Sequence, residues 1–415
     1  MKKNGFARGY ISALKPFAKP LYDSHIPVFV KSLPMKRFSP VVLLLLLFCS
    51  SGYAQQSIKI GGIFDTTGIT SDVGVPYAEG VREYIQYVNK HGGVHGNHIE
   101  FIDFNYAYTV PEAISAYQEM VSKGVIAIIG WGTDDTEALA PAVAKDKIPY
   151  ISASYSEQLV SNKTPYNFIG ATTYSDQARL TLQWIKDTWK DKRRAPKVAL
   201  LYNNTGFGLS PVRDAELFAK KIGVEIVARE IIGLQDLDAT SHLLNIQKKG
   251  ADYAINQHTL TATATILKDA KKLGLKTRFI GLVWSFSEKL IPMAGNAAEG
   301  FMAPMPVAFW TETNLKGVQL MHKVHKKISG HNDPQPVQYT QGFINAYLLV
   351  EALKKASPNL TGENIKKVLE SNKFNMMGLS ADIAYKPNLR KPNISAKMYI
   401  IKNKRIVPLT GLLKY

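Results

Sequence analysis

Residues 126–159 constrain the fold more than any other stretch. They read IAIIGWGTDDTEALAPAVAKDKIPYISASYSEQL. Residues 126–130 are a short, Ile-rich apolar run, the pattern of a strand buried on both faces. Gly132, Thr133, Asp134 and Asp135 follow as a turn, and the spacing predicts a helix over 136–145 with Leu139 and Val143 on one face. A second strand is expected at 148–152, closed by a Ser-rich turn at 152–156. Two neighbouring parallel strands thus end in polar turns on the same side. In open α/β sheets that edge is where small ligands bind.

The same alternation runs through most of the chain. Strands are expected at 58–64 (IKIGGIF), 99–105 (IEFIDFN), 197–202 (KVALLY), 225–232, 253–256 and 279–283, separated by amphipathic helical stretches such as 77–91 and 111–123. Gly92-Gly93 ends the first of these helices, and Pro111 opens the second. The β-α pattern runs to residue 159 and restarts after 174, which argues for two doubly wound α/β units. Helices are then expected at 312–329, 339–355 and 361–371, and a closing hairpin at 398–402 and 406–409. Two such units in one chain place a cleft between them, a favoured position for a ligand pocket.

The first 54 residues read as targeting sequence. Lys36 and Arg37 precede an apolar run at 38–48, and Gly52-Tyr53-Ala54 supplies small residues at the −3 and −1 positions of a cleavage site. Residues 35–54 form a complete signal peptide, with cleavage expected after Ala54. The apolar run is too short for a comfortable membrane span. Residues 1–34 read as an upstream over-extension of the reading frame, the alternative being a disordered leader. The sole cysteine of the 415 residues, Cys49, lies in the signal behind Phe48, where lipid attachment would favour a small residue. Ordinary cleavage is therefore expected over anchoring, leaving no disulfide, thiolate or Cys-metal chemistry.

Charge adds little. The chain carries +18; residues 1–54 hold eight Lys/Arg and one Asp, leaving 43 basic and 32 acidic residues beyond them, a net of +11. These charges are dispersed, with the densest run at 190–197 (KDKRRAPK). No basic face with interleaved aromatics or nucleic-acid module appears, so no nucleic-acid partner is expected. The glycines show no G-x-G-x-x-G at the first strand-helix junction, and there is no P-loop, G-x-S-x-G or H-E-x-x-H. An enzyme, a metal site and a cofactor are not expected. His322 and His325 form a helix-spaced pair without an adjacent carboxylate in sequence.

Five segments together resemble the type I periplasmic solute-binding proteins of ABC importers, in the leucine/isoleucine/valine-binding class. They are IKIGGIFDTTG (58–68), VNKHGGVHGNHIEFIDFN (88–105), IIGWGTDDTEALAPAVAKDKIPYISASYS (128–156), LKDAKKLGLKTRFIG (267–281) and NAAEGFMAPMPV (296–307), in order over nearly all of 57–415. The resemblance implies two Rossmann-like lobes joined by three crossovers. Lobe one is expected over 57–172 plus 303–378, and lobe two over 173–302 plus 379–415. It also implies closure on a small solute and, for a monomer in the periplasm, delivery to an inner-membrane ABC permease. A secreted sensor handing its bound state to a signalling receptor would use the same fold.

By the same resemblance, the ligand's carboxylate is expected at the 131–136 turn, with Thr133 and Asp134 as contacts. Asp134 stands where the family usually has Ser, and a helix cap is the alternative role for it or Asp135. Ser154 and Ser156 match the loop that meets the ligand's ammonium and carboxylate, a self-satisfied Ser turn being the alternative. Phe207, between Gly206 and Gly208, matches the aromatic that covers the ligand, with a core role as the alternative. Thr259 and Trp284 fall near the family's remaining lobe-two contacts, a Tyr and a Glu. No Glu is present there, and a buried ammonium without a partner is costly. His258, Thr259 and Trp284, with Trp131 and Tyr155, would instead make an aromatic, neutral pocket. It suits a small polar solute, amino acid-like, aromatic or amide-like, more than leucine itself, and Asp134 could supply the missing negative charge should the solute be cationic.

Overall fold

The computed structural model describes residues 57–415 apart from Asn393; the expected signal peptide, the over-extension and Cys49 lie outside the described residues. The first half of the chain runs β1 (Ile58–Phe64), α1 (Ser71–Lys90), β2 (Ile99–Asn105), α2 (Val110–Ser122), β3 (Ala127–Gly130), α3 (Thr133–Asp146), β4 (Tyr150–Ser152) and β5 (Asn167–Ile169). It continues with α4 (Tyr174–Thr188), β6 (Lys197–Tyr202), α5 (Gly206–Leu209), α6 (Val212–Ile222), β7 (Glu225–Ile231), α7 (Thr240–Lys248), β8 (Tyr253–Gln257), α8 (Leu260–Lys272), β9 (Arg278–Gly281), α9 (Leu290–Ala294) and β10 (Met302–Met305). Last come α10 (Lys316–Ser329), α11 (Val337–Ala356), α12 (Gly362–Ser371), β11 (Lys373–Phe374), β12 (Ile383–Ala384), β13 (Lys397–Lys402) and β14 (Arg405–Leu412).

Two sheets organise these elements. The first is parallel, in the order β2-β1-β3-β4-β5. The second has the order β14-β13-β10-β9-β8-β6-β7, parallel from β10 to β7 and antiparallel at β13 and β14. This is the doubly wound, two-lobed α/β architecture expected from the alternation of elements. The hairpin turn between β13 and β14 places Asn403 and Lys404 at positive φ, as a two-residue turn requires. β5 and β10, three and four residues long, carry too few residues to show a period.

The chain crosses between the sheets three times, through 170–173, 306–315 and 385–396. Strand β10 runs to Met305 within the second sheet. The first and third crossings touch: Thr172 Oγ1 donates to Ser395 O (2.8 Å) and accepts from Ser395 N (3.1 Å). Near them, Lys391 bonds Glu157 (2.6 Å) and Asp176 (2.8 Å), and the hydroxyl of the last residue, Tyr415, donates to Asp176 (2.5 Å).

After the second crossing, α10 and α11 return to pack on α1 of the first lobe. α11 is buried on nearly every face, and its Ala, Leu, Ile and Val content matches that environment. Two glycines set how closely α1 and α11 approach. A Cβ on Gly80 would lie 2.2 Å from Tyr339 O, and one on Gly342 would lie 2.0 Å from Tyr77 O. No other residue type fits at either position without parting the helices.

Candidate functional site

The carboxyl ends of both parallel sheets face the same cleft, and the candidate site is built from the loops they feed. β3 leads into Trp131, Gly132 and Thr133; β4 leads into Ala153 and Ser154. From the second sheet, β6 leads to Phe207, β8 to His258 and Thr259, and β9 to Trp284 in the 3-10 turn Val283–Ser285. Between them lies a small cavity of about 20 Å³ lined by Thr70, Tyr108, Trp131, Thr133, Tyr174, Phe207, Thr259 and Trp284, with Val73, Gly132 and Ala153. That is room for little more than one water. A larger solute must therefore enter by parting the lobes and shifting their aromatic rings.

α3 begins at Thr133, three residues before the expected start at Thr136, with Gly132 as its extended N-cap (φ −78°, ψ 175°). Asp134 and Asp135 therefore sit inside its first turn instead of capping it. Thr133 Oγ1 and Ser154 Oγ share a 2.7 Å hydrogen bond, both groups being buried. No side chain caps α3 from its N-cap position, but Asp134 and Asp135 lie in its first turn and Asp135 accepts from the Gly132 amide, so the positive end of this helix is partly answered by its own acids.

Asp134 turns out of the cavity: its Oδ1 accepts from Gly206 N of the other lobe (2.9 Å). Asp135 is fully buried and accepts from the Tyr106 hydroxyl (2.8 Å). Burial pushes its carboxyl up to about 7, against the Tyr106 hydrogen bond, which lowers it. Ser156 is buried but does not line the cavity; its hydroxyl donates to Glu137 Oε1 (3.1 Å).

Aromatic rings form most of the wall. Trp131 of lobe one and Trp284 of lobe two meet edge to face across the cleft, centroids 5.0 Å apart. Tyr155 stacks behind Trp284 (5.8 Å, 15°), outside the lining. Phe207 meets Tyr174 edge to face at 5.5 Å. Trp131 Nε1 donates to Thr70 Oγ1 and Trp284 Nε1 to Tyr174 Oη, each at 2.8 Å, so both indole donors are already used. The Thr259 hydroxyl lies near Asp72, yet it is buried without completing a hydrogen bond among the described residues. His258 faces away, its ring nitrogens on Asn256 Oδ1 (2.6 Å) and Ile232 O (2.9 Å). Burial pushes it down to about 4, so it is neutral at pH 7.

Of the seven residues expected from sequence, Thr133, Phe207, Thr259 and Trp284 line one cavity, Ser154 supports Thr133, and Asp134 and Ser156 point elsewhere. Sequence reading missed Thr70, Tyr108 and Tyr174. Thr70 and Tyr108 sit in the loops after β1 and β2, at the same carboxyl edge that drew attention to the loop after β3. Tyr174 opens α4 beyond the first crossing, where the order of elements alone gives no position.

A family model described as periplasmic binding protein matches residues 57–404. The chain belongs to this family. Among curated relatives of this binding protein is the leucine-, isoleucine-, valine-, threonine-, and alanine-binding protein of Pseudomonas aeruginosa. It is 23% identical, over 79% of this chain and 86% of that one. The leucine-specific-binding protein of Salmonella typhimurium is also 23% identical, over 71% and 79%. Among solved structures, a branched chain amino acid ABC transporter from Thermus thermophilus with bound valine superposes with a TM-score of 0.81 and 28% identity, covering 87% of this chain and 97% of that one. The two curated relatives are binding proteins by name, and the solved structure carries bound valine. Among the described residues of this binding protein, no helix is long and apolar enough to cross a membrane, and no group of three or more His, Cys, Asp or Glu could hold a metal.

Proposed function

We propose that this binding protein captures a small solute in the periplasm, as a monomer without a cofactor, and delivers it to an ABC permease. We further propose that the solute presents an electron-rich group, a carboxylate or an amide carbonyl, on an apolar or aromatic body and carries no ammonium that must be neutralised. One observation carries this reading: the cavity is lined by three threonines and five aromatic side chains, and by no charged one. The Thr133 hydroxyl, paired with Ser154, suits the electron-rich end as a donor. Phe207, Trp131 and Trp284 suit the body. An α-ammonium would be left in a desolvated site without a counter-charge, which costs several kcal/mol or more. The nearby acids do not line the cavity and are engaged elsewhere: Asp134 with Gly206, Asp135 with Tyr106 and Asp72 with Thr261.

Calorimetric titration of the purified protein with matched pairs tests this: leucine against isovalerate, phenylalanine against phenylacetate, and short amides beside both. The acids or amides are expected to bind at least tenfold more tightly than the amino acids. Tight binding of leucine or phenylalanine with no binding of the matched acid would refute the proposal.

A further inference from the structure

Two long helices at the cleft lack a cap of their own. α8 starts behind Thr259, whose side chain makes no capping hydrogen bond, and its first turn has no acidic residue. α11 starts behind Pro336, which has no capping group, and its first turn is also without an acid. By contrast α12 is capped by its own Thr361, which accepts from Asn364 N (3.2 Å). An uncapped helix start leaves amide donors and the positive end of the dipole unanswered.

In each case the other lobe answers. Asp72, in the first turn of α1 in lobe one, places Oδ2 on Thr261 N (2.8 Å) and Thr261 Oγ1 (3.0 Å) at the start of α8 in lobe two. Glu288, in the lobe-two loop just beyond Trp284, places Oε2 on Val337 N (2.9 Å) at the start of α11 in lobe one. Beside it Ser287 Oγ donates to Gln338 Oε1 (2.9 Å). The contact of Asp134 with Gly206 N repeats the arrangement on the first amide of the short α5. We infer that Asp72 and Glu288, with Asp134, are reciprocal latches: each lobe supplies the carboxylate that completes a backbone start in the other, so that capping is coupled to closure.

The geometry also limits their strength. Each carboxylate uses one oxygen; Asp72 Oδ1, Asp134 Oδ2 and Glu288 Oε1 are buried with no hydrogen-bond partner among the described residues. Closing therefore gains charge-assisted hydrogen bonds and loses hydration of the spare oxygens, two opposed terms of similar size. Burial raises both Asp72 and Glu288 above the ordinary carboxylate range, the direction that loss of hydration gives. Latches balanced in this way hold the lobes closed without solute by a narrow margin, which solute binding can widen. The inference does not depend on which solute that is.

Hydrogen exchange of the solute-free protein, followed by mass spectrometry, tests the coupling. In the parent, the first-turn amides of α8 and α11 should be protected. Asp72→Ala should speed exchange at its own partner and also at the start of α11. Glu288→Ala should do the same at the start of α8, each by about tenfold at the distant helix, the effect of losing one hydrogen bond to a charged group. Slow exchange in β1 and β8 shows that the variants fold. Should an alanine variant fail that control, Asp72→Asn and Glu288→Gln, which keep an acceptor and drop the charge, are read in its place. Change confined to the substituted helix's own partner would make these residues local caps and overturn the proposal, as would fast exchange at both helix starts in the parent.

Discussion

Replacing Asp135 by Asn should change how stability depends on pH while leaving the site's shape in place. Asp135 is fully buried in the first turn of α3, its Oδ1 on the Tyr106 hydroxyl. Asn has the same outline and keeps a carbonyl for that hydroxyl, but it does not titrate. Burial raises Asp135 from the ordinary 3.8 to about 7. Between those values the folded protein holds a proton that the unfolded chain has released, so the group's contribution is fully present below about pH 4 and is lost as pH rises to about 7. Each pH unit well inside that window is worth about 1.4 kcal/mol; from about pH 5 to pH 7 the parent should lose about 2 kcal/mol that Asp135→Asn does not. For a protein of this size that is a shift in melting temperature of roughly 3 °C. His258 acts in the opposite direction, being neutral when folded and protonated when unfolded below about pH 6.5, but it is common to both proteins and cancels in the comparison. The assay is a series of thermal melts of parent and variant from about pH 5 to pH 8. The two melting curves should converge toward acid and separate toward neutrality, with the variant the more stable at about pH 8. A constant offset across the series would refute the burial argument.

Other perturbations give sharper yes-or-no outcomes. In the panel titrations, Phe207→Ala and Trp284→Ala should each weaken binding of the best solute by tenfold or more, the loss expected for a buried aromatic contact. Ser156→Ala should leave affinity within about twofold, because its hydroxyl serves Glu137 and not the cavity; a large loss would place Ser156 in the site after all. Gly342→Ala drives a methyl to 2.0 Å from the Tyr77 carbonyl. It should destabilise the protein by about 1–3 kcal/mol, read by denaturant unfolding, and an unchanged midpoint would show that α1 and α11 can separate freely.

How much of this was readable in the sequence depends on the range over which each feature is determined. The strands of IKIGGIF and KVALLY, and the hairpin at the tail, were legible because hydrophobic period and turn residues act locally. The start of α3 was misplaced because Thr, Asp and Asp suit a turn as well as a helix's first turn, and only the extended Gly132 decides between them. β5 and β10 are defined by the neighbours they pair with rather than by a pattern of their own. Of the residues lining the candidate cavity, Thr133, Phe207, Thr259 and Trp284 are also those the family resemblance points to. The direction taken by Asp134 was not readable, because it is set by a backbone amide 72 positions away on the opposite lobe. Thr70, Tyr108 and Tyr174 are brought together by tertiary structure alone.

The interleaving of the chain between the lobes has a consequence for biogenesis. Lobe one is left without α11, the helix that covers α1, until residues beyond 337 have been made. The second sheet lacks β13, the neighbour of β10, until Lys397–Lys402 follows, and the terminal Tyr415 ties itself beside the crossings. Neither half can finish folding from local contacts during synthesis, and long-range pairing of this kind is slow. The two lobes are therefore finished together, late, by segments that arrive after both sheets have begun.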